Sequence, residues 1–195
     1  MTTYRSAAAA HPAAAATPTR SLADLAGLPV IGVSLGHPDT ISAEHWLASL
    51  PSAPLLACTH LVRTPRPHVA LSLVFDHPTP GAIAGADSVP AEAGEECPVA
   101  AAEHVARSSG RAVLYPGVEK LVGTLSVAEI LELSAIEKVE VLGGGEADPA
   151  ALVDTGDFVR PQWRLGSLTL TTTPAAGGHL VPFETRHPTP CCAAH

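Results

Sequence analysis

Two imidazoles and two thiols fall within nine residues of this 195-residue chain: His187, Cys191, Cys192 and His195, in the run RHPTPCCAAH. Thiolate and imidazole are the ligands zinc takes, and thiolate also favours Cu(I). Cys192 and His195 have the C-x2-H spacing of a metal knuckle. Adjacent cysteines chelate a soft ion more readily than they bridge each other, because a disulfide there closes a strained ring. Pro188 and Pro190 stiffen the approach and reduce the entropy lost when the ligands are ordered. Structural zinc sites usually draw on two knuckles, and no CxxC occurs elsewhere. His187, Cys191, Cys192 and His195 are therefore the candidate ligands for zinc, copper or iron. The plainer alternative is an exposed extension that binds nothing.

A second histidine-bearing stretch, GHPDTISAEHW, carries His37, Asp39, Glu44 and His45. Joined to the terminal cluster, His37 and His45 would complete a metal-dependent redox enzyme, provided the fold brings one of them to Cys192 and leaves a coordination position open. His37–Pro38, Glu44–His45–Trp46 and the distant Cys192-x2-His195 together resemble superoxide reductases. That resemblance implies a non-haem iron held by histidines and one cysteine. The separation of His37 from His45 is longer than the family's. The plainer roles are a turn histidine before Pro38 and a surface helix histidine.

In AALVDTGD an apolar run precedes Asp154-Thr155-Gly156. This resembles the catalytic loop of retroviral-type aspartic proteases, with VEVLGGG upstream as the preceding strand. The resemblance implies a dimer in which Asp154 and its copy share a proton. Asp157 and Phe158 stand where that family has small and hydroxyl residues. Asp148–Pro149 also has the form of a helix start, with Asp148 as N-cap, Pro149 in the first turn and Gly156 past the end.

Other chemistry is weaker. VLGGGE lacks G-x-G-x-x-G and Gly-Lys-Ser/Thr, so it reads as a turn. There is no G-x-S-x-G elbow. Cys58 and His60 lie two apart in a strand-like run and so share a face: either a reactive dyad or a buried thiol beside a satisfied imidazole. Cys97 precedes Pro98 at a helix start, where the helix dipole lowers a thiol pKa.

The elements that must position these groups follow from periodicity and punctuation. Ser21 caps a short helix ended by Gly27 and Pro29, and Val30–Gly36 is a β-branched strand. Thr40–Leu50 reads as a helix capped by Thr40 or Ser42. Pro54–Arg63 and His68–Phe75 form a hairpin about TPRP, and Val99–Gly110 is a helix. Ser126 with Glu129 makes a capping box for the helix in GTLSVAEILELSAIE. SLTLTTT alternates as a half-exposed antiparallel strand does. The expected fold class is α+β: a single domain with a mainly antiparallel sheet packed by three to four helices. Residues 1–20 are expected to be a disordered Ala/Pro-rich tail, 21–185 the domain, 76–98 a flexible loop within it, and 186–195 a C-terminal Cys/His extension. HPTP occurs at both 77–80 and 187–190, which chance explains in so biased a chain.

Composition excludes some classes. With 46% apolar but only 4% aromatic residues, the core must be built from Ala, Val, Leu and Ile. A net charge of −8 and no Lys/Arg cluster speak against nucleic acid and against an acidic membrane surface. No run approaches the ~20 apolar residues of a membrane span, and the Ala stretch broken by Pro12 makes a poor signal peptide. The expectation is a cytoplasmic binding or accessory module, with the terminal cluster as its metal candidate and an interaction protein without metal as the further alternative.

Overall fold

A computed structural model describes residues 20–77 and 97–186. All of the expected tail but Arg20, most of the 76–98 loop and all of the C-terminal extension but Arg186 lie outside the described residues. So do His187, Cys191, Cys192 and His195.

Local signals account for the first elements. Ser21 and Asp24 form a capping box that starts α1 (Leu22–Leu25), and Leu22 and Leu25 turn into the core. β1 spans Val30–His37. α2 (Thr40–Ala48) is capped by Asp39, one residue before the expected Thr40: Asp39 Oδ1 accepts from Ser42 N at 2.7 Å. β2 (Leu56–Val62) and β3 (His68–Val74) form the expected hairpin, in register from Leu56 opposite Val74 to Val62 opposite His68.

Every residue of β3 is buried, because both faces of the hairpin are covered. Leu71 and Leu73 of one face pack with Ala43 and Leu47 of α2. On the opposite face Val62 and Ala70 meet Ala100 of α3 (Cys97–Val105). Period-2 alternation is lost when a sheet is sandwiched in this way.

The later strands are β4 (Arg111–Leu114), β5 (Thr124–Ser126), β6 (Lys138–Val141), β7 (Gly145–Glu146), β8 (Leu152–Asp154), β9 (Gln162–Arg164), β10 (Ser167–Pro174) and β11 (Leu180–Pro182). α4 (Val127–Leu133) begins at the expected box, Ser126 Oγ accepting from Glu129 N and Glu129 Oε2 from Ser126 N. The VLGGGE turn joins β6 to β7 as a hairpin.

The fold class departs from expectation. Eleven strands among the described residues form one large mixed sheet, ordered β1-β3-β2-β4-β9-β10-β11-β8-β5, with β6 on β10 and β7 on β6. The ladders β6–β10 and β8–β11 are parallel. The four described α-helices have 4, 9, 9 and 7 residues, too little to pack a sheet of this size as an α+β layer. The helix expected from Asp148 is one reason. Asp148 makes a turn instead, its Oδ1 accepting from Ala150 N at 2.8 Å. The carbonyls of Pro149 and Ala151 are taken by the first amides of α4, Ala128 N at 3.0 Å and Val127 N at 2.9 Å. Those carbonyls cannot also support a helix, and Leu152–Asp154 pairs with β5 as a strand. Among the described residues no helix is long and apolar enough to cross a membrane.

Candidate ligand-binding cleft

α2, β4 and the segments flanking β9 and β11 converge on a cleft of about 720 Å3. α2 lays Ala43 and Leu47 on the sheet, so Glu44, the next residue along, projects from its half-buried flank. Arg111 opens β4 beside it. Its Nη1 donates to Glu44 Oε1 at 2.7 Å, and its Nε reaches both carboxylate oxygens of Glu184 at 2.7 Å. Arg111 Nη2 donates to Glu184 as well. Arg160 Nη2 donates to the other Glu44 oxygen, Oε2, at 2.9 Å. Phe158 is ringed by cations: the guanidinium carbons of Arg160, Arg186 and Arg111 lie 4.2, 5.5 and 6.0 Å from its centroid.

Burial alone would raise the Glu44 carboxyl, but its bonds from Arg160 and Arg111 outweigh burial and hold it below the usual carboxylate range. Burial works against the Arg111 charge too, and Glu184 and Glu44 reverse that and raise its pKa. Three guanidinium groups face two carboxylates, a local positive excess in a chain of net charge −8. Arg160 is only 14% exposed, and its Nε–H is buried with no hydrogen-bond partner. Arg186 spends one N–H on the Asp157 carbonyl at 3.0 Å. Ile41 and Phe183, 71% and 60% exposed, give the cleft an apolar rim. The arrangement suits a carboxylate or phosphate carried on an apolar body.

A second polar constellation lies under α3. Glu103 Oε2 is 2.8 Å from His60 Nδ1, His60 Nε2 is 2.8 Å from Ser72 Oγ, and Ser72 Oγ is 2.7 Å from His104 Nδ1. Serine, histidine and acid thus stand in the order of a hydrolytic triad. Ser72 is 0% exposed and His60 2%, and the serine hydroxyl is spent on two imidazoles in the middle of β3. This is a network buried at its centre, and it pins the β2–β3 hairpin to α3. Cys58 shares its face as the spacing predicted. It is a free thiol, fully buried, and burial pushes its pKa up to about 12 against the smaller opposing effects of Ser72 and Trp163. The Trp163 indole N–H opposes that rise, yet it is buried with no hydrogen-bond partner of good geometry.

The residues singled out in sequence are scattered. His37 ends β1 with its ring against Trp46, centroids 6.1 Å apart, and its Nε2 is buried without a partner. His45 is exposed on α2 and lines the arginine cleft. Asp154 is exposed at the end of β8, its Oδ1 accepting from Gly156 N at 3.2 Å. Cys97 starts α3. Among the described residues no group of three or more His, Cys, Asp or Glu is arranged to hold a metal ion.

Sequence reading passed over Arg111, Arg160, Glu184 and Phe158. The signal available was nine arginines against two lysines, since arginine is the cation suited to bidentate pairing and ring stacking. No family model, no curated protein and no solved structure matches this chain.

Proposed function

We propose that this protein is a binding module that takes a small organic anion in the arginine-lined cleft. The anionic group sits against Arg160 and Arg186, and an apolar body covers Phe158 and Phe183. Arg160 carries the reading. A buried N–H without a partner costs ~1–3 kcal/mol, and an anionic oxygen that the Arg160 side chain turns to meet removes that cost. Glu44 and Glu184 are already engaged by Arg111, so neither is spare to neutralise a further guanidinium completely. The ion pairs also tether residues 183–186 to α2 and β4, which pre-organises the site.

Calorimetric titration with phenyl phosphate is the test, with inorganic phosphate beside it. Saturable binding is expected, with a Kd on the order of 100 μM. Arg160→Ala should weaken it about tenfold or more while the protein still melts cooperatively, and added salt should weaken it further. Equal affinity in a folded Arg160→Ala variant, or no binding by the native chain, sinks the reading.

A soft or borderline metal held by His187, Cys191, Cys192 and His195 is the second reading. One observation favours it: Arg186, the residue before His187, lines the same cleft as His45. This reading takes the protein to be cytoplasmic, where thiols stay reduced. Untagged full-length protein is expected to carry near-stoichiometric zinc, copper or iron by plasma mass spectrometry, and Cys191→Ser/Cys192→Ser to carry none. No metal in either protein after reduction and reconstitution ends this reading.

A further inference from the structure

A separate cleft of about 320 Å3 opens between α1 and the sheet, floored by Leu56 and Val74 and walled by Leu22, Leu25, His104 and Trp163. Its lining is apolar apart from His104 and Arg107. Arg107 is occupied: its guanidinium carbon lies 4.9 Å from the Trp163 ring centroid, and its Nη1 is 3.6 Å from Glu137 Oε1. The Trp163 indole N–H is itself buried and acts on Cys58, so the accessible polar chemistry of the cleft falls to His104.

The hydrogen-bond chain decides which kind of group His104 presents. A Glu103 carboxylate only accepts, so His60 Nδ1 must carry the proton. Burial disfavours a charged His60, more than Glu103 favours it, so His60 Nε2 is a lone pair. The Ser72 hydroxyl has one proton, and it goes to that lone pair. Ser72 Oγ then accepts, and His104 Nδ1–H is its donor. With Nδ1 protonated and the ring neutral, His104 Nε2 is left as an acceptor. Burial keeps the ring neutral, with His60 and Arg107 adding to the effect, and its pKa is pushed down to about 4. No described residue donates to Nε2.

We infer that this cleft is a second ligand site, for a small uncharged molecule with an apolar body and one hydroxyl, whose O–H donates to His104 Nε2. An anion would face the imidazole lone pair. A cation would be desolvated among leucines with no carboxylate to meet it. The volume is ample for a one-ring compound. The four-residue relay from Glu103 is what holds the tautomer, so the site reads a donor by an orientation set some three side chains away.

The probe is 4-methylphenol, with 4-methylanisole as the matched molecule lacking the donor. Both are titrated into the full chain, following the His104 Nε2 nitrogen shift by NMR and tryptophan fluorescence. Saturable 4-methylphenol binding that moves the Nε2 signal is expected, with 4-methylanisole about tenfold weaker, because it leaves the acceptor unpaired. His104→Asn, whose amide can still donate to Ser72 but places nothing at Nε2, should erase the preference. Ala26→Phe, at the exposed rim, should block both probes. Arg160→Ala should leave 4-methylphenol binding unchanged, which separates this site from the arginine cleft. Equal affinity for the two probes, or no saturation by 4-methylphenol, overturns the inference. The comparison of probes on the native chain decides even where a variant fails to fold.

Discussion

Gly117→Ala unfolds the protein more readily by about 3 to 5 kcal/mol, and Gly123→Ala by only about 1 kcal/mol. Both glycines have positive φ, +84° and +67°, so both alanines meet the left-handed penalty, ~1–2 kcal/mol. They differ in what surrounds them. A Cβ at 117 would stand 2.0 Å from the Leu133 carbonyl oxygen and 2.6 Å from Ser134 Cα, while nothing lies within 4 Å of a Cβ at 123. The obstacle is backbone at the end of α4, and it cannot rotate aside. Residues 115–117 are also tied there by Ala135 N donating to the Pro116 carbonyl at 2.8 Å. Urea unfolding of the two variants beside the native chain checks this, and the native-to-Gly117→Ala drop in Tm should be roughly 10 °C. If the two variants are equally stable, the loop after β4 does not pack on α4 as described.

Stability falls steeply as pH is lowered from about 6.5 to about 4. His104 and His60 are buried in their neutral forms, and burial is the main cause that lowers both pKa values. The unfolded chain takes up protons near the ordinary histidine value of 6.5, whereas folded His104 resists until about 4. Between those values the unfolded state holds more protons, so acid favours unfolding. For His104 alone the loss across this window is on the order of 3 kcal/mol, and His60 adds to it with the same sign. Carboxylates held low, such as Glu44, act in a different window, from about 4.5 downward. Denaturant midpoints at pH 7.5, 5.5 and 4.5 measure the slope, and His104→Asn should flatten it while the Ser72 partner is kept. A slope unchanged by His104→Asn would show that the loss comes from elsewhere.

The arginine cleft and the buried relay treat charge in opposite ways. Arg111 and Glu44 remain ionised because each charge has partners within hydrogen-bond distance. His60 and His104 stay neutral because burial disfavours the charged imidazole, against the opposing pull of Glu103 on His60. The first arrangement borders a cleft, and its ion pairs leave Arg160 and Arg186 to meet a ligand oxygen. The second is closed, and it reaches a ligand only through His104 Nε2.

Features set by neighbours a few residues apart were legible in the chain. The capping boxes of Ser21 with Asp24 and Ser126 with Glu129 close over three residues, and both start helices. The glycines after Val141 make the turn they promise, and the β2–β3 hairpin needs only two apolar runs and a proline-rich loop. Cys58 and His60 share a face because a strand has a period of two. Features that depend on distant partners were not legible. β5, β7 and β8 are two or three residues long, too short to show a period, and exist because other segments pair with them. Asp148–Pro149 has a sound helix start, yet α4 takes the carbonyls a helix would need. The arginine cleft is the extreme case. Arg111 stands 67 residues from Glu44 and 73 from Glu184, and Arg160 stands 116 from Glu44. Single charges at such separations leave no local pattern. Their pairing energy becomes available only after the sheet has brought β4, α2 and the β11 end together, so tertiary packing chose that site, while local hydrogen bonding had already chosen the caps and turns.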